Sequence, residues 1–129
     1  MTDFNELFQS ADWKTEKHSP VIKIKQKEDK DFTFIKVMVG EEIAHPNQTN
    51  HHISWISLFF LPDGEKFPLQ VGKVEFTAHG ESAAGPDTST VYTEPKGLFA
   101  LKTEKSGTLI AFSYCNIHGL WRSEEKFSA

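Results

Sequence analysis

Cys115 is the only cysteine among 129 residues, and His118 follows it three positions later in the segment SYCNIHGLW, residues 113–121. A single thiol cannot form an internal disulfide. The chain also has six histidines, several of them beside glycine, proline or asparagine: His18, His45, His51, His52, His79 and His118. Thiolate and neutral imidazole together favour iron, copper, zinc or nickel, whereas calcium and magnesium prefer oxygen ligands. These residues therefore predict a transition-metal site.

Each of these residues also has a purely structural explanation. A free cysteine is most often a small buried apolar residue. His51 and His52 are adjacent, and adjacent side chains of a strand point to opposite faces, so both cannot bind the same metal if they lie on a strand. His79 precedes Gly80 and Glu81 in a sequence typical of a bend, which favours a structural role.

Residues that restrict or free the backbone flank several of the candidates. Pro46 fixes the chain beside His45. Gly119 permits a tight turn directly after His118. Rigid turns that aim imidazoles are what a preorganised metal site requires, so the combination favours a metal more than any single residue does.

Short strands are the elements that must position these residues. Alternating or continuous apolar runs predict seven strands, over residues 21–26, 32–39, 52–61, 73–78, 97–103, 108–115 and 122–128. Residues 2–9 place Phe4, Leu7 and Phe8 at helical spacing and predict one short helix. Residues 80–90 are small and polar and predict a long surface loop. Short strands joined by turns predict an all-β antiparallel sandwich.

Length and charge narrow the class of protein further. Residues 1–129 show no linker or internal repeat and are expected to form one domain. The net charge of −4 and the isoelectric point near 5.8 argue against a nucleic-acid partner. No apolar run is long enough to predict a membrane span. The acidic N-terminal segment does not have the pattern of a secretory signal, so we expect a cytoplasmic protein.

Four segments carry a resemblance to a known family: EKHSP (16–20), HPNQTNHHISWI (45–56), VEFTAHGES (74–82) and SYCNIHGLW (113–121). They resemble superoxide reductase, in particular its one-domain form, neelaredoxin, which is similar to the iron-binding domain of desulfoferrodoxin. The similarity runs from about residue 4 to residue 125. It implies an immunoglobulin-like β-sandwich with one mononuclear non-haem iron.

The resemblance also implies a ligand set. Four equatorial histidines and one axial cysteine would hold the iron: His18, His45, His51, His118 and Cys115. It leaves His52 facing away and His79 without a metal role. Desulfoferrodoxin carries a second iron bound by four cysteines, which a chain with one cysteine cannot hold.

The implied activity is the one-electron reduction of superoxide to hydrogen peroxide at this iron. In the family pattern Glu16 corresponds to the carboxylate that binds the oxidised iron. Lys17 corresponds to the lysine that attracts superoxide and helps to order water for proton delivery. Without the resemblance, these two residues would be an ordinary solvated dipeptide. The resemblance further implies re-reduction by an external donor such as rubredoxin, and a homotetramer.

Three other functions stay open at this stage. A blue-copper electron carrier needs a weak axial methionine after the C-terminal histidine, whereas Met1 and Met38 both lie upstream. An adhesion or interaction sandwich without a metal is the second alternative. Superoxide dismutase activity is the third, because the sequence does not set the reduction potential of the iron.

Overall fold

The computed structural model describes residues 2–25 and 31–129. In this part of the chain there are one short helix and eight strands: α1 Phe4–Leu7, β1 Phe8–Gln9, β2 Pro20–Lys25, β3 Thr33–Val39, β4 Ile53–Pro62, β5 Leu69–Glu75, β6 Lys96–Leu101, β7 Gly107–Cys115 and β8 Gly119–Phe127. A five-stranded sheet has the order β1-β8-β7-β4-β5, and a three-stranded sheet has the order β2-β3-β6. The predicted β-sandwich is therefore confirmed.

Alternating side chains of the two sheets form the core. In β7 the burial alternates residue by residue, so that Leu109, Ala111, Ser113 and Cys115 are fully buried while the residues that alternate with them are half-buried. Ile35 of β3 and Ile56 of β4 belong to the same core cluster. β-branched and leucine side chains on one face of each strand bury apolar area between the sheets, which is the main force that holds them together.

Some sequence expectations need correction at the edges of the sandwich. The helix is only Phe4–Leu7, and none of its residues is buried in the described structure. β5 spans Leu69–Glu75, so Phe76 and Ala78, which belong to the predicted strand of residues 73–78, lie beyond the end of the observed strand. Residue 26, the end of the first predicted strand, lies outside the described residues. No helix among the described residues is long and apolar enough to cross a bilayer.

The pairing is antiparallel except at one edge. Among the described strands only β1 pairs in parallel, with Phe8 opposite Leu120 and Gln9 opposite Trp121 in β8. β1 has two residues, which is too short for a sequence pattern to predict. A strand pairing of two residues at the edge of a sheet depends on the tertiary contacts around it and not on the β-propensity of those two residues.

Strand ends bring the candidate metal ligands together. β2 begins two residues after His18, β4 begins two residues after His51, and β7 ends at Cys115 itself. The register of β4 and β7 pairs Ile53 with Cys115, which fixes where His51 lies relative to the sulfur. His45 lies in the loop that follows β3.

Candidate metal centre

Four predicted ligands form one compact group of side chains. The ligand atoms of His18, His45, His51 and Cys115 all lie within 4.8 Å of one another. His118 lies against this group, with its Nδ1 3.0 Å from His18 Nε2 and 3.8 Å from Cys115 Sγ. The fold thus brings together five residues from three separate segments of the chain.

The tight turn between β7 and β8 determines the surroundings of the sulfur. Cys115 is a free, fully buried cysteine that pairs with Gly119 across this turn. Gly119 has a φ of 80°, a conformation that glycine adopts without strain. The turn directs the backbone N–H of His118 to the sulfur, at 3.3 Å from Sγ. A donor in this position stabilises a thiolate more than a thiol.

Glu16 fixes the tautomer of the His18 ring. Its Oε1 accepts hydrogen bonds from the backbone N–H of His18 at 3.0 Å and from His18 Nδ1 at 2.7 Å. The bond from the His18 side chain is the main reason that the pKa of Glu16 lies below its usual value. Because Nδ1 carries the proton, His18 Nε2 presents a lone pair to the other members of the group.

His45 has the same arrangement with a backbone acceptor. Its Nδ1 donates to the carbonyl oxygen of Pro46 at 2.7 Å, which leaves Nε2 as the unprotonated nitrogen. Burial is the largest cause that lowers the pKa of His45, to about 4, and a positive charge on His18 or His51 would lower it further. Burial also lowers the pKa of His51, followed by the charge of His118. Both rings are therefore neutral near pH 7.

Two buried nitrogen atoms indicate that this group fits a metal ion. Within the described structure, His45 Nε2 and His51 Nε2 are buried and have no hydrogen-bond partner. An unpaired buried polar atom typically costs about 1–3 kcal/mol, so native proteins rarely leave one without a partner. A metal ion between these rings would bind both lone pairs.

The spacing and chemistry of the donors fit a metal as well. Two nitrogens bound to one ion at ~2.1 Å and at right angles to each other lie ~3 Å apart, and His18 Nε2 and His118 Nδ1 are separated by 3.0 Å. Four imidazoles and a thiolate exceed the four ligands of a structural zinc site. Such a set suits a redox-active transition metal.

The centre lies at the surface and has a cationic neighbour. His118 is exposed, whereas His18 and His45 are buried. Lys17 is half-buried, and its positive charge is a smaller cause, after burial, of the lowered pKa values of His45 and His51. The field of this ammonium group therefore reaches these two candidate ligands.

Trp121 contacts two of the candidate ligands. Its ring stacks on the His18 ring with centroids 5.0 Å apart and planes inclined by 13°. Its Nε1–H donates to the carbonyl oxygen of His118 at 3.3 Å. The spacing of three residues after His118 is the one sequence signal for this contact.

Two histidines lie apart from this group. The ring of His52 stacks on the ring of His79, with centroids 3.5 Å apart and planes within 3° of parallel. His52 Nδ1 donates to the carbonyl oxygen of Gln48 at 2.9 Å. His51 and His52 both precede β4, so the strand argument does not apply to them, yet their rings do point in different directions. The ring beside the sulfur is that of His51.

Comparisons with known proteins agree with this geometry. Residues 10–124 match the family model described as desulfoferrodoxin. The superoxide reductase of Pyrococcus furiosus is 59% identical over 120 residues, which cover 93% of this chain and 95% of the relative. The neelaredoxin of Megalodesulfovibrio gigas is 52% identical over 121 residues, which cover 93% of each protein. The solved structure of reduced superoxide reductase (neelaredoxin) from Archaeoglobus fulgidus superposes with a TM-score of 0.91 at 59% identity, covering 95% of this chain and 99% of that chain.

Proposed function

Because this chain belongs to the desulfoferrodoxin family, and its close relatives are superoxide reductases, we propose that it reduces superoxide to hydrogen peroxide at a mononuclear non-haem iron. The observation that carries this proposal is the buried Cys115 sulfur among imidazoles, two of which have unpaired nitrogens. Iron held there would supply a one-electron couple, Fe(II) and Fe(III).

The proposed ligands are four nitrogens and one sulfur. They are His18 Nε2, His45 Nε2, His51 Nε2, His118 Nδ1 and Cys115 Sγ. The hydrogen bonds from His18 to Glu16 and from His45 to Pro46 support this assignment, since they leave the Nε2 lone pairs free. We propose that residues 1–129 act as one neelaredoxin-type domain around this centre.

Two neighbouring residues have proposed roles in the reaction. Lys17 attracts the superoxide anion and helps to order the water that delivers the two protons of the product. Glu16 is proposed as an additional ligand of the oxidised iron. The hydrogen bond between Glu16 and His18 Nδ1 means that its carboxylate must leave His18 before it takes that role.

The electron must come from outside the chain. The described residues contain one His/Cys cluster of this kind and no second metal group. Each reduced superoxide therefore requires one electron from another molecule, and we propose a small iron–sulfur donor of the rubredoxin type. We also propose that the protein is cytoplasmic and that, as the family resemblance implies, it is a homotetramer.

The stoichiometry of the reaction tests this function. Reduction consumes one superoxide, one electron and two protons and yields one hydrogen peroxide. Dismutation consumes two superoxide ions and yields one hydrogen peroxide and one dioxygen. Pulses of superoxide delivered to the reduced protein should therefore yield one peroxide per superoxide and release no dioxygen. Dioxygen released together with half a peroxide per superoxide would indicate dismutase activity instead.

A further inference from the structure

The segment of residues 45–51, which we call the ligand loop, carries two of the proposed ligands and has little regular structure of its own. Between His45 and His51 there is no strand or helix, and the one backbone pairing in this segment joins Gln48 and His51. A segment without its own secondary structure is positioned by its neighbours. Its outside contacts therefore determine how far apart His45 and His51 are held.

Those contacts come mainly from the segment of residues 76–93, which we call the clamp. The Asn47 side chain donates through Nδ2 to the carbonyl oxygen of Thr93 at 3.0 Å. The backbone N–H of Thr49 donates to Asp87 Oδ1 at 2.8 Å, and the backbone N–H of Asp87 donates to Thr49 Oγ1 at 3.1 Å. The Thr49 hydroxyl donates to the carbonyl oxygen of His79 at 2.9 Å.

His79 lies at the centre of the clamp and contacts residues near both ends of the ligand loop. Its ring is buried, with 5% of the residue exposed. One ring nitrogen, Nδ1, lies 3.0 Å from Asn47 Oδ1, and the other, Nε2, lies 2.8 Å from the carbonyl oxygen of Phe76. Its face covers His52, the residue directly after His51. One side chain thus contacts Asn47, two residues after His45, and His52, directly after His51.

The rest of the clamp holds His79 in place. Both oxygens of the Glu81 carboxylate accept from the backbone N–H of His79, at 2.9 and 3.1 Å. Gly80 has a φ of 83°, and a Cβ there would lie within 2.7 Å of the Tyr92 ring, so the segment is closely packed around this turn. Because these contacts restrain His79, its ring can hold the ligand loop in one position.

We propose that His79 is a positioning residue for the metal centre and that residues 76–93 preset the spacing of His45 and His51. This inference rests on the proposed function, since it assumes that these histidines bind iron. Partners of metal ligands typically contribute about 10–100-fold to metal affinity. We expect an effect of the same size from the clamp, which supports the loop that carries two proposed ligands instead of contacting a ligand directly.

The test measures how fast the iron-loaded protein loses Fe(II) to a ferrous chelator. Thr49→Val replaces the hydroxyl by a methyl group of similar size and should speed iron loss about tenfold. Thr49→Ser retains the hydroxyl and should restore the rate close to that of the parent protein. His79→Phe retains a ring over His52 but removes both polar contacts, and should speed iron loss by up to about 100-fold.

A control separates positioning from general stability. Leu109→Val removes one methylene from a fully buried core position in β7, six residues from Cys115. It should lower Tm yet leave the rate of iron loss unchanged. The clamp proposal would be overturned if Thr49→Val and Leu109→Val had the same Tm and lost iron at the same rate. It would also be overturned if Thr49→Val and His79→Phe both lost iron at the rate of the parent protein. If the parent protein itself holds no iron, the proposed function fails instead.

Discussion

Three of the proposed ligands differ in which ring nitrogen faces the centre. The partners of Nδ1 are Glu16 for His18 and the Pro46 carbonyl for His45, so both rings present Nε2. For His118 the ring presents Nδ1 toward His18 and Cys115. Because a neutral imidazole has one donor and one acceptor nitrogen, these outer contacts determine which nitrogen is available to a metal.

The lowered pKa of His45 predicts a pH dependence of stability in the metal-free protein. The folded state resists protonation of His45 down to about pH 4, whereas an unfolded histidine takes up a proton near pH 6.5. The unfolded state therefore binds more protons between these values, so the free energy of unfolding falls as the pH is lowered through this window. The shift corresponds to about 3 kcal/mol for this residue.

Urea unfolding of the metal-free protein between pH 7 and pH 4.5 measures this effect. Carboxylates such as Glu16, whose pKa is also lowered, lose stabilising contacts in the same direction. The His45→Gln variant retains those carboxylates and should show a shallower pH dependence than the parent protein. The same slope in both proteins would show that His45 is not the group responsible.

At the scale of the element, Gly40 begins the loop after β3 and lies against the backbone of His45, a proposed ligand. Gly40 has a φ of 86°, and a Cβ there would lie 2.7 Å from the backbone nitrogen of His45. A side chain at this position must therefore displace the backbone of a proposed ligand. Gly64 has a similar φ of 78°, but a Cβ added there would meet no atom of the described structure within 4 Å.

These two glycines give a matched pair of variants. Gly40→Ala and Gly64→Ala both place alanine in a left-handed conformation, which costs about 1–2 kcal/mol. Only Gly40→Ala should also weaken iron binding, because only there does the new methyl group meet His45. Thermal unfolding and iron content per chain measure the two effects. Iron content that falls equally in both variants would contradict this account of the loop.

The strand pattern of the sequence predicted most of the sandwich, and particular elements show why some of it was missed. The alternation in β7 predicted its buried face down to Cys115. Val74, Phe76 and Ala78 also alternate, yet the strand ends at Glu75. Phe76 is buried beyond the strand, and its carbonyl oxygen contacts His79 Nε2. Alternation reports burial, but it does not report where strand pairing stops.

The sequence motifs indicated the residues of the candidate site, but they did not indicate the contacts that surround those residues. Residues 80–90 form the mostly exposed loop that the sequence predicted. The sequence did not indicate that Asp87 in this loop binds Thr49 of the ligand loop. His79 was expected to have a structural role, and the structure specifies what it supports. Contacts between two irregular segments have no periodicity, so no sequence pattern could indicate them.

At the scale of the whole molecule, a protein of net charge −4 is proposed to attract an anion. A positive charge nevertheless acts near the centre, because Lys17 lies close enough to lower the pKa values of His45 and His51. Fields within about one Debye length, ~10 Å at 0.1 M salt, dominate the final approach of a small ion.

The rate of reaction with superoxide should therefore fall as ionic strength rises, despite the net negative charge. Lys17→Ala should slow the bimolecular reaction on the order of tenfold at low salt and weaken its dependence on salt. Lys126→Ala, near the far end of β8, changes the net charge by the same single unit and should have little effect. Pulse radiolysis over a range of salt concentrations measures both. Equal losses in the two variants would mean that total charge, not Lys17, governs the approach.

X-ray absorption at the iron edge, on the parent protein and on Cys115→Ser, tests the central claim most directly. The account predicts one iron per chain with one sulfur and four imidazole nitrogens in the parent protein, and loss of the sulfur signal in the variant. Iron without a sulfur neighbour in the parent protein, or an unchanged sulfur signal in Cys115→Ser, would contradict it.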